Sequence, residues 1–134
     1  GSDLSFLISI LELLKVRAKS INEFVLQSNY FFNDPDSYDK KDVKKGWKDE
    51  TVNQLTSEFL TPLVKIPNWR KEEIETVFKS FANSKELGLG KIIMPVRLAI
   101  CGTLNGPSIF DILELLGPDT TIRRIKNALK KLPS

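Results

Sequence analysis

Residues 94–117 constrain the fold more than any other segment, because two apolar helical stretches flank one Gly-Thr-Leu-Asn-Gly-Pro turn. From residue 92 to residue 101, Arg97 is the only charged side chain. An arginine is rarely fully buried without a partner. We therefore expect Arg97 either to pair with a carboxylate, such as Asp111 or Glu114, or to point at a binding site.

The other periodic segments also predict helices, and none of them alternates with a period of two residues. We expect helices over residues 4–15, 20–27, 92–101 and 107–116, and a short helix before residue 48. A further helix should be capped by Asn68 and ended by Gly88 and Gly90. The last helix should begin after Asp119 or Thr120. Pro62 should interrupt the helix that begins near Val52, because the residue before a proline avoids the α region. The predicted fold class is all-α, a compact bundle or cage of about seven to eight helices.

Composition excludes several classes of function. The chain has 134 residues, one cysteine and no histidine, so Ser-His or Cys-His catalysis, Cys/His zinc sites and a disulfide framework are not expected within it. No signal peptide and no apolar run of about 20 residues is present, which predicts a cytoplasmic protein without a membrane contact. The net charge of +3 is compatible with nucleic-acid binding but does not establish it.

The beginning of the chain predicts a domain boundary. Residues 1–2 are typical of an expression scar. The helix that follows has only a narrow polar stripe, so it should need neighbours around most of its circumference. We expect residues 3–32 to be the truncated end of a preceding helical sub-bundle and residues 33–134 to form a C-terminal helical subdomain. Four apolar side chains should then be exposed: Leu4, Leu7, Ile8 and Leu11.

The Gly106-Pro107 corner is the first candidate binding site. Backbone amides at the start of a helix can bind an anion or a base edge. The alternative is a structural corner that buries Ile109 and Phe110 in the core. Cys101 has no neighbouring base, so it is expected to be a packed thiol and not a nucleophile.

Two basic patches are further candidates. Lys15, Arg17 and Lys19 lie between two predicted helices, where a solvated corner is the alternative. Arg123 and Arg124 are among the five cations of the last helix. These cations either only keep the helix end solvated or contact phosphates, which would add affinity without sequence information.

Residues 94–117 are similar to the signature of bacterial glutamyl-tRNA synthetases: Pro-x-Arg-x-Ala-x-x-Gly, a short loop, and Gly-Pro-x-x-Phe-x-Ile-x-x-Leu-Leu-Gly. The run Arg-x-x-Ser-Ile-x-Glu-Phe from Arg17 also resembles that family. The resemblance implies the C-terminal anticodon-binding domain, in which Arg17 reads the third anticodon letter. Position 106 departs from the family, which often has threonine there. The pocket for the first two letters would be lined by Arg97, Gly106, Pro107, Ile109 and Phe110.

The resemblance also implies partners and cofactors. The partner would be the anticodon stem-loop of tRNA(Glu), bound by a monomer with no role for DNA. The parent enzyme would be a class I glutamate–tRNA ligase that uses ATP with magnesium, whereas this chain itself would hold no cofactor and no catalytic residue. The resemblance is compatible both with a parent that is specific for glutamate tRNA and with one that also charges glutamine tRNA. The main alternative is a helical protein-interaction domain, and a DNA-binding helix-turn-helix is a weaker third interpretation.

Overall fold

The computed structural model describes residues 2–14, 29 and 31–133. This part of the chain contains helices and no strand, which confirms the all-α prediction. The helix expected over residues 20–27 lies outside the described residues. In chain order the seven described helices are α1 (Ser2–Leu14), α2 (Lys40–Gly46), α3 (Glu50–Val64), α4 (Lys71–Ser84), α5 (Gly90–Cys101), α6 (Ile109–Leu116) and α7 (Pro118–Lys131).

One hydrophobic core holds the helices together. Helix α5 packs against α2, α3, α4 and α7, and α7 also packs against α3 and α6. The rings of Phe59 and Phe78 meet edge to face with centroids 4.7 Å apart. Such aromatic pairs stabilise a core beyond the area that they bury. Because α5 contacts four other helices, this packing positions the end of α5 and the turn that follows it.

Polar side chains begin two of the helices. The Asp39 carboxylate accepts a 3.0 Å hydrogen bond from the amide of Asp42 at the start of α2. The Asp49 carboxylate accepts one of 2.9 Å from the amide of Thr51 at the start of α3. Both bonds satisfy amides that have no partner inside the helix. The charged stretch before residue 48 therefore forms the short helix that was expected there.

Several predicted helix boundaries are wrong. Pro62 does not interrupt α3, since a proline in the last turn removes only one hydrogen bond and the helix ends two residues later, at Val64. Asn68 is not a cap: α4 begins after Arg70, and the carbonyl of Asn68 accepts the amide of Arg70. Helix α4 also ends before the glycines expected to stop it, and α6 begins two residues after Pro107.

Helix α1 has one buried and one exposed side. Ile10 is fully buried in the common core. Leu4, Leu7, Ile8 and Leu11 expose between 41% and 60% of their area, as the sequence predicted. The domain boundary near residue 32 stays a prediction. No helix in the described ranges is long and apolar enough to span a bilayer.

Candidate nucleic-acid interface

The candidate site is the turn between α5 and α6, residues 102–108, which we call the Gly-Pro corner. The turn begins at Gly102, whose φ of +77° lies in the left-handed region and whose amide donates to the carbonyl of Leu98. A Cβ atom at this position would lie 2.8 Å from the backbone oxygen of Ser37. Only glycine tolerates both the left-handed backbone conformation and the close approach of the Ser37 oxygen. Gly102 is therefore required at the point where α5 ends and the turn begins.

Hydrogen bonds from the start of α2 hold the corner in place. The Asp42 carboxylate accepts hydrogen bonds from the hydroxyl of Thr103 at 2.9 Å and from the amide of Leu104 at 2.8 Å. The amide of Asp39 donates to the carbonyl of Gly102 at 2.8 Å. Asp42 could not be identified from the sequence, because 61 residues separate it from Thr103 and no local motif encodes the pair. These bonds hold the corner in one shape.

Arg97 reaches across the corner. Its side chain is half-buried, and Nη1 donates a 2.8 Å hydrogen bond to the carbonyl oxygen of Pro107. The two acids considered as structural partners both interact with Lys71. The Lys71 ammonium lies 3.5 Å from Asp111, and the Lys71 amide donates to the carboxylate of Glu114 at 2.8 Å. The structure therefore brings Arg97 to the Gly-Pro corner.

The other predicted pocket residues divide into buried and accessible ones. Pro107 and Ile109 are buried, so their side chains belong to the core. Phe110 is half-buried and meets the ring of Phe78 edge to face at 5.1 Å. Gly106 is half-buried with a φ of +141°, again a conformation that favours glycine. The corner thus offers the backbone at Gly106 beside Arg97, whereas the ring of Phe110 packs against the buried Phe78.

The start of α6 adds backbone donors to the same place. Ser108 is its N-cap residue but makes no side-chain cap hydrogen bond. The first amides of a helix carry partial positive charge and favour negative groups or acceptor atoms. A base edge or a phosphate at the corner would meet these amides together with Arg97.

The thiol of Cys101 lies near the charges of Arg97 and Arg124 but is not reactive at neutral pH. Burial raises its pKa to about 12, although the charges of Arg97 and Arg124 act in the opposite direction. Since the thiolate is the reactive form, Cys101 is a packed thiol at neutral pH. This agrees with the sequence prediction.

The two arginines predicted on the last helix lie in different environments. Arg123 is exposed, and its guanidinium donates two hydrogen bonds to Asp34 at 2.9 and 2.8 Å. Arg124 is only 2% exposed; it donates to Asp34 at 2.9 Å and to the carbonyl of Ile100 at 2.8 Å. Arg124 therefore links α7 to α5, and its buried guanidinium is not accessible to a phosphate.

The remaining basic candidates cannot be placed. Lys15, Arg17 and Lys19 lie outside the described residues. Within the described residues, no group of three acidic or cysteine side chains is arranged to hold a metal ion. The chemistry that the described part of the corner offers is hydrogen-bond donation from Arg97 and from backbone amides at the start of α6.

An all-α domain with an arginine-bearing Gly-Pro corner is the class of protein that these observations define. A family model described as "Anticodon binding domain" matches residues 2–129. The chain belongs to this family. The resemblance drawn from residues 94–117 is confirmed, and the comparisons support it over a helical protein-interaction domain.

The relatives share one name. The chain is 39% identical over 123 residues to a glutamate–tRNA ligase of Flavobacterium johnsoniae, covering 92% of the chain and 24% of the relative. It is 40% identical to the glutamate–tRNA ligase of Chlorobium phaeobacteroides, with 96% and 25% covered. A crystal structure of a glutamate–tRNA ligase from Elizabethkingia meningosepticum, in complex with its amino acid, superimposes with a TM-score of 0.87 at 34% identity, with 96% and 25% covered. The chain spans about a quarter of the length of these relatives.

Proposed function

We propose that this chain is the part of a glutamate–tRNA ligase that recognises the anticodon stem-loop of tRNA(Glu). The family match over residues 2–129 and the common name of the relatives support this function. The observation that carries it is the 2.8 Å bond from Arg97 to the carbonyl of Pro107, which holds a guanidinium beside the start of α6. Proteins that read RNA sequence usually target single-stranded loops, and the anticodon is such a loop.

Arg97 is the proposed reader of a base in the first two anticodon positions. A guanidinium carries five N–H donors in a planar fork, which suits two parallel hydrogen bonds to a base edge. The bond to Pro107 fixes the orientation of this fork before RNA arrives. A donor that is already oriented loses little conformational entropy on binding.

The neighbouring residues complete the proposed pocket in different ways. Gly106 contributes its backbone, since it lacks the side chain that the family often has here. Phe110 offers a partly exposed ring beside which a base can stack. Pro107 and Ile109 act from buried positions by fixing the path of the backbone.

The proposed contacts outside the corner are of two kinds. Arg17 reads the third anticodon letter, by resemblance to the family. Lys15, Lys19 and Arg123 add contacts to the RNA backbone, of which Arg123 is exposed in the structure. Arg124, being buried, is left out of the RNA contacts and assigned to the fold.

The activity belongs to the proposed parent enzyme. It would attach glutamate to tRNA(Glu) with ATP and magnesium, as a class I synthetase in the cytoplasm, acting as a monomer and without DNA or membrane partners. The two nucleotide-binding signatures of such enzymes, similar to His-Ile-Gly-His and Lys-Met-Ser-Lys-Ser, are not found in these 134 residues. In this proposal the chain contributes recognition, and the catalytic residues are elsewhere in the parent.

A titration tests the proposal. The 134-residue chain is titrated with the anticodon stem-loop of tRNA(Glu) and with the same stem-loop carrying a changed anticodon. We expect the cognate loop to bind at least about 10-fold more tightly, since each correct base contact contributes roughly 1–3 kcal/mol of discrimination. Equal affinity for both loops would contradict anticodon recognition.

A further inference from the structure

A second surface feature adjoins the Gly-Pro corner. A groove of 440 Å³ runs between α2, α3 and the start of α5. Its floor is apolar and its rim is basic, and we call it the lysine groove. Its rim includes Lys45, Lys48 and Lys91, and Leu55, Leu87 and Met94 contribute to its floor.

The charge of the rim favours an anionic occupant. Lys45, Lys48 and Lys91 are all exposed, so their ammonium groups are accessible. Asp49 is the acid that lines the groove, and its carboxylate already accepts hydrogen bonds from the amide and hydroxyl of Thr51. These bonds hold the pKa of Asp49 below its usual value. Since Asp49 stays ionised, three cations beside one anion leave a net positive charge around the apolar floor.

The lysine groove lies close to the Gly-Pro corner. Met94 in the groove lies three residues before Arg97 on α5, which places the two side chains one helical turn apart on neighbouring faces. Gly46 of α2 is buried between them: a Cβ atom there would lie 3.2 Å from Cβ of Met94 and 3.4 Å from the side chain of Leu104 in the corner. The groove is therefore within reach of a polymer that is bound at the corner.

We infer that the lysine groove binds a nucleotide next to the anticodon bases, with its base against the apolar floor and its phosphates beside the lysines. The inference rests on the proposed function, and it extends that site along the RNA. A nucleotide fits both parts of the groove, because it joins a flat apolar face to an anion. The three lysines at the rim and the short distance to the corner favour RNA that is already bound at the corner over an acidic peptide.

Adjacent lysines on α2 provide a matched test. Lys44 and Lys45 are both exposed, but only Lys45 lines the groove. We expect Lys45→Ala and Lys91→Ala each to weaken stem-loop binding about 3- to 10-fold and to reduce the slope of log affinity against log salt by about one. Both effects should be equal for cognate and changed anticodons. Lys44→Ala should change affinity less than about 2-fold.

The apolar floor has its own variant. Leu87 exposes 36% of its area, so Leu87→Ser should leave the fold intact. We expect it to weaken stem-loop binding about 2- to 5-fold without changing the salt slope, because it removes apolar contact area and no charge. A circular dichroism melt of each variant confirms that the protein is folded.

The outcomes separate this inference from the proposed function. If the chain distinguishes anticodons but Lys45→Ala binds like Lys44→Ala, the groove inference is wrong and anticodon recognition stands. If both loops bind equally and the lysine effects persist, the groove binds RNA and anticodon recognition fails. If Lys45→Ala abolishes binding of an acidic amphipathic peptide and leaves RNA binding unchanged, the groove is a protein site and the inference is overturned.

Discussion

At the residue scale, three arginines show how environment decides the role of one side chain. Arg97 is half-buried at the Gly-Pro corner, Arg123 is exposed, and Arg124 is almost completely enclosed. The lone charge of Arg97 in an apolar helix could be recognised from sequence alone. The role of Arg124 could not, because its partner Asp34 is 90 residues away. Local patterns reveal unusual residues, whereas distant partners appear only in the folded chain.

Removing Arg124 should destabilise the fold far more than removing Arg123. Arg124→Ala leaves the carbonyl of Ile100 buried without its donor, so we expect a loss of about 2–4 kcal/mol. Arg123→Ala removes an exposed partner of the same acid and should cost less than about 1 kcal/mol. Urea unfolding of both variants gives the two values. Equal losses would show that burial of Arg124 contributes nothing.

At the element scale, the corner is built by α5 and α6 but held by α2. The apolar spacing of residues 92–101 and 107–116 was sufficient to predict the two helices and the turn between them, although the second helix begins at Ile109. Their boundaries were less predictable: Pro62 stays within α3 because only its last turn is affected. The support from Asp42 was also not predictable, since it depends on how α2 packs against α5.

Gly102 should determine whether the corner packs correctly against the segment before α2. Gly102→Ala places a methyl group 2.8 Å from the oxygen of Ser37 at a φ of +77°. We expect it to cost about 1–3 kcal/mol and to weaken stem-loop binding by displacing the corner. Gly88→Ala is the control, because nothing lies within 4 Å of its added Cβ. Thermal unfolding of the two variants should differ, and similar melting temperatures would contradict the account of this turn.

At the scale of the whole molecule, one carboxylate connects the segment before α2 to the last helix. Hydrogen bonds from Arg123, with those from Arg124 and the charges of both, lower the pKa of Asp34 from 3.8 to about 2, against the opposing effect of burial. Because the pKa is lower in the folded state, ionised Asp34 stabilises the fold above pH 4. This contribution is lost as the pH falls from about 4 towards 2.

The comparison of the wild type with Asp34→Asn isolates this effect. The lowered pKa corresponds to roughly 1–2 kcal/mol at neutral pH after allowance for the partial exposure of Asp34. We expect the wild type to be more stable by about this amount at pH 7 and the difference to shrink between pH 4 and pH 2. Urea unfolding across this range measures it. A difference that is independent of pH would mean that the ionised form is not stabilised by the two arginines.

The central claim is that Arg97 at the Gly-Pro corner reads the anticodon, and the most direct test combines binding and melting of Arg97→Ala. We expect this variant to lose about 10-fold or more of its affinity for the cognate stem-loop and most of its preference over a changed anticodon. Its melting temperature should fall by less than about 5 °C, because Arg97 is half-buried and its bond to Pro107 contributes only modestly to stability. Arg70→Ala, which removes an exposed arginine at the start of α4, should bind like the wild type. A large fall in melting temperature with anticodon preference intact would make Arg97 a structural residue and contradict the account.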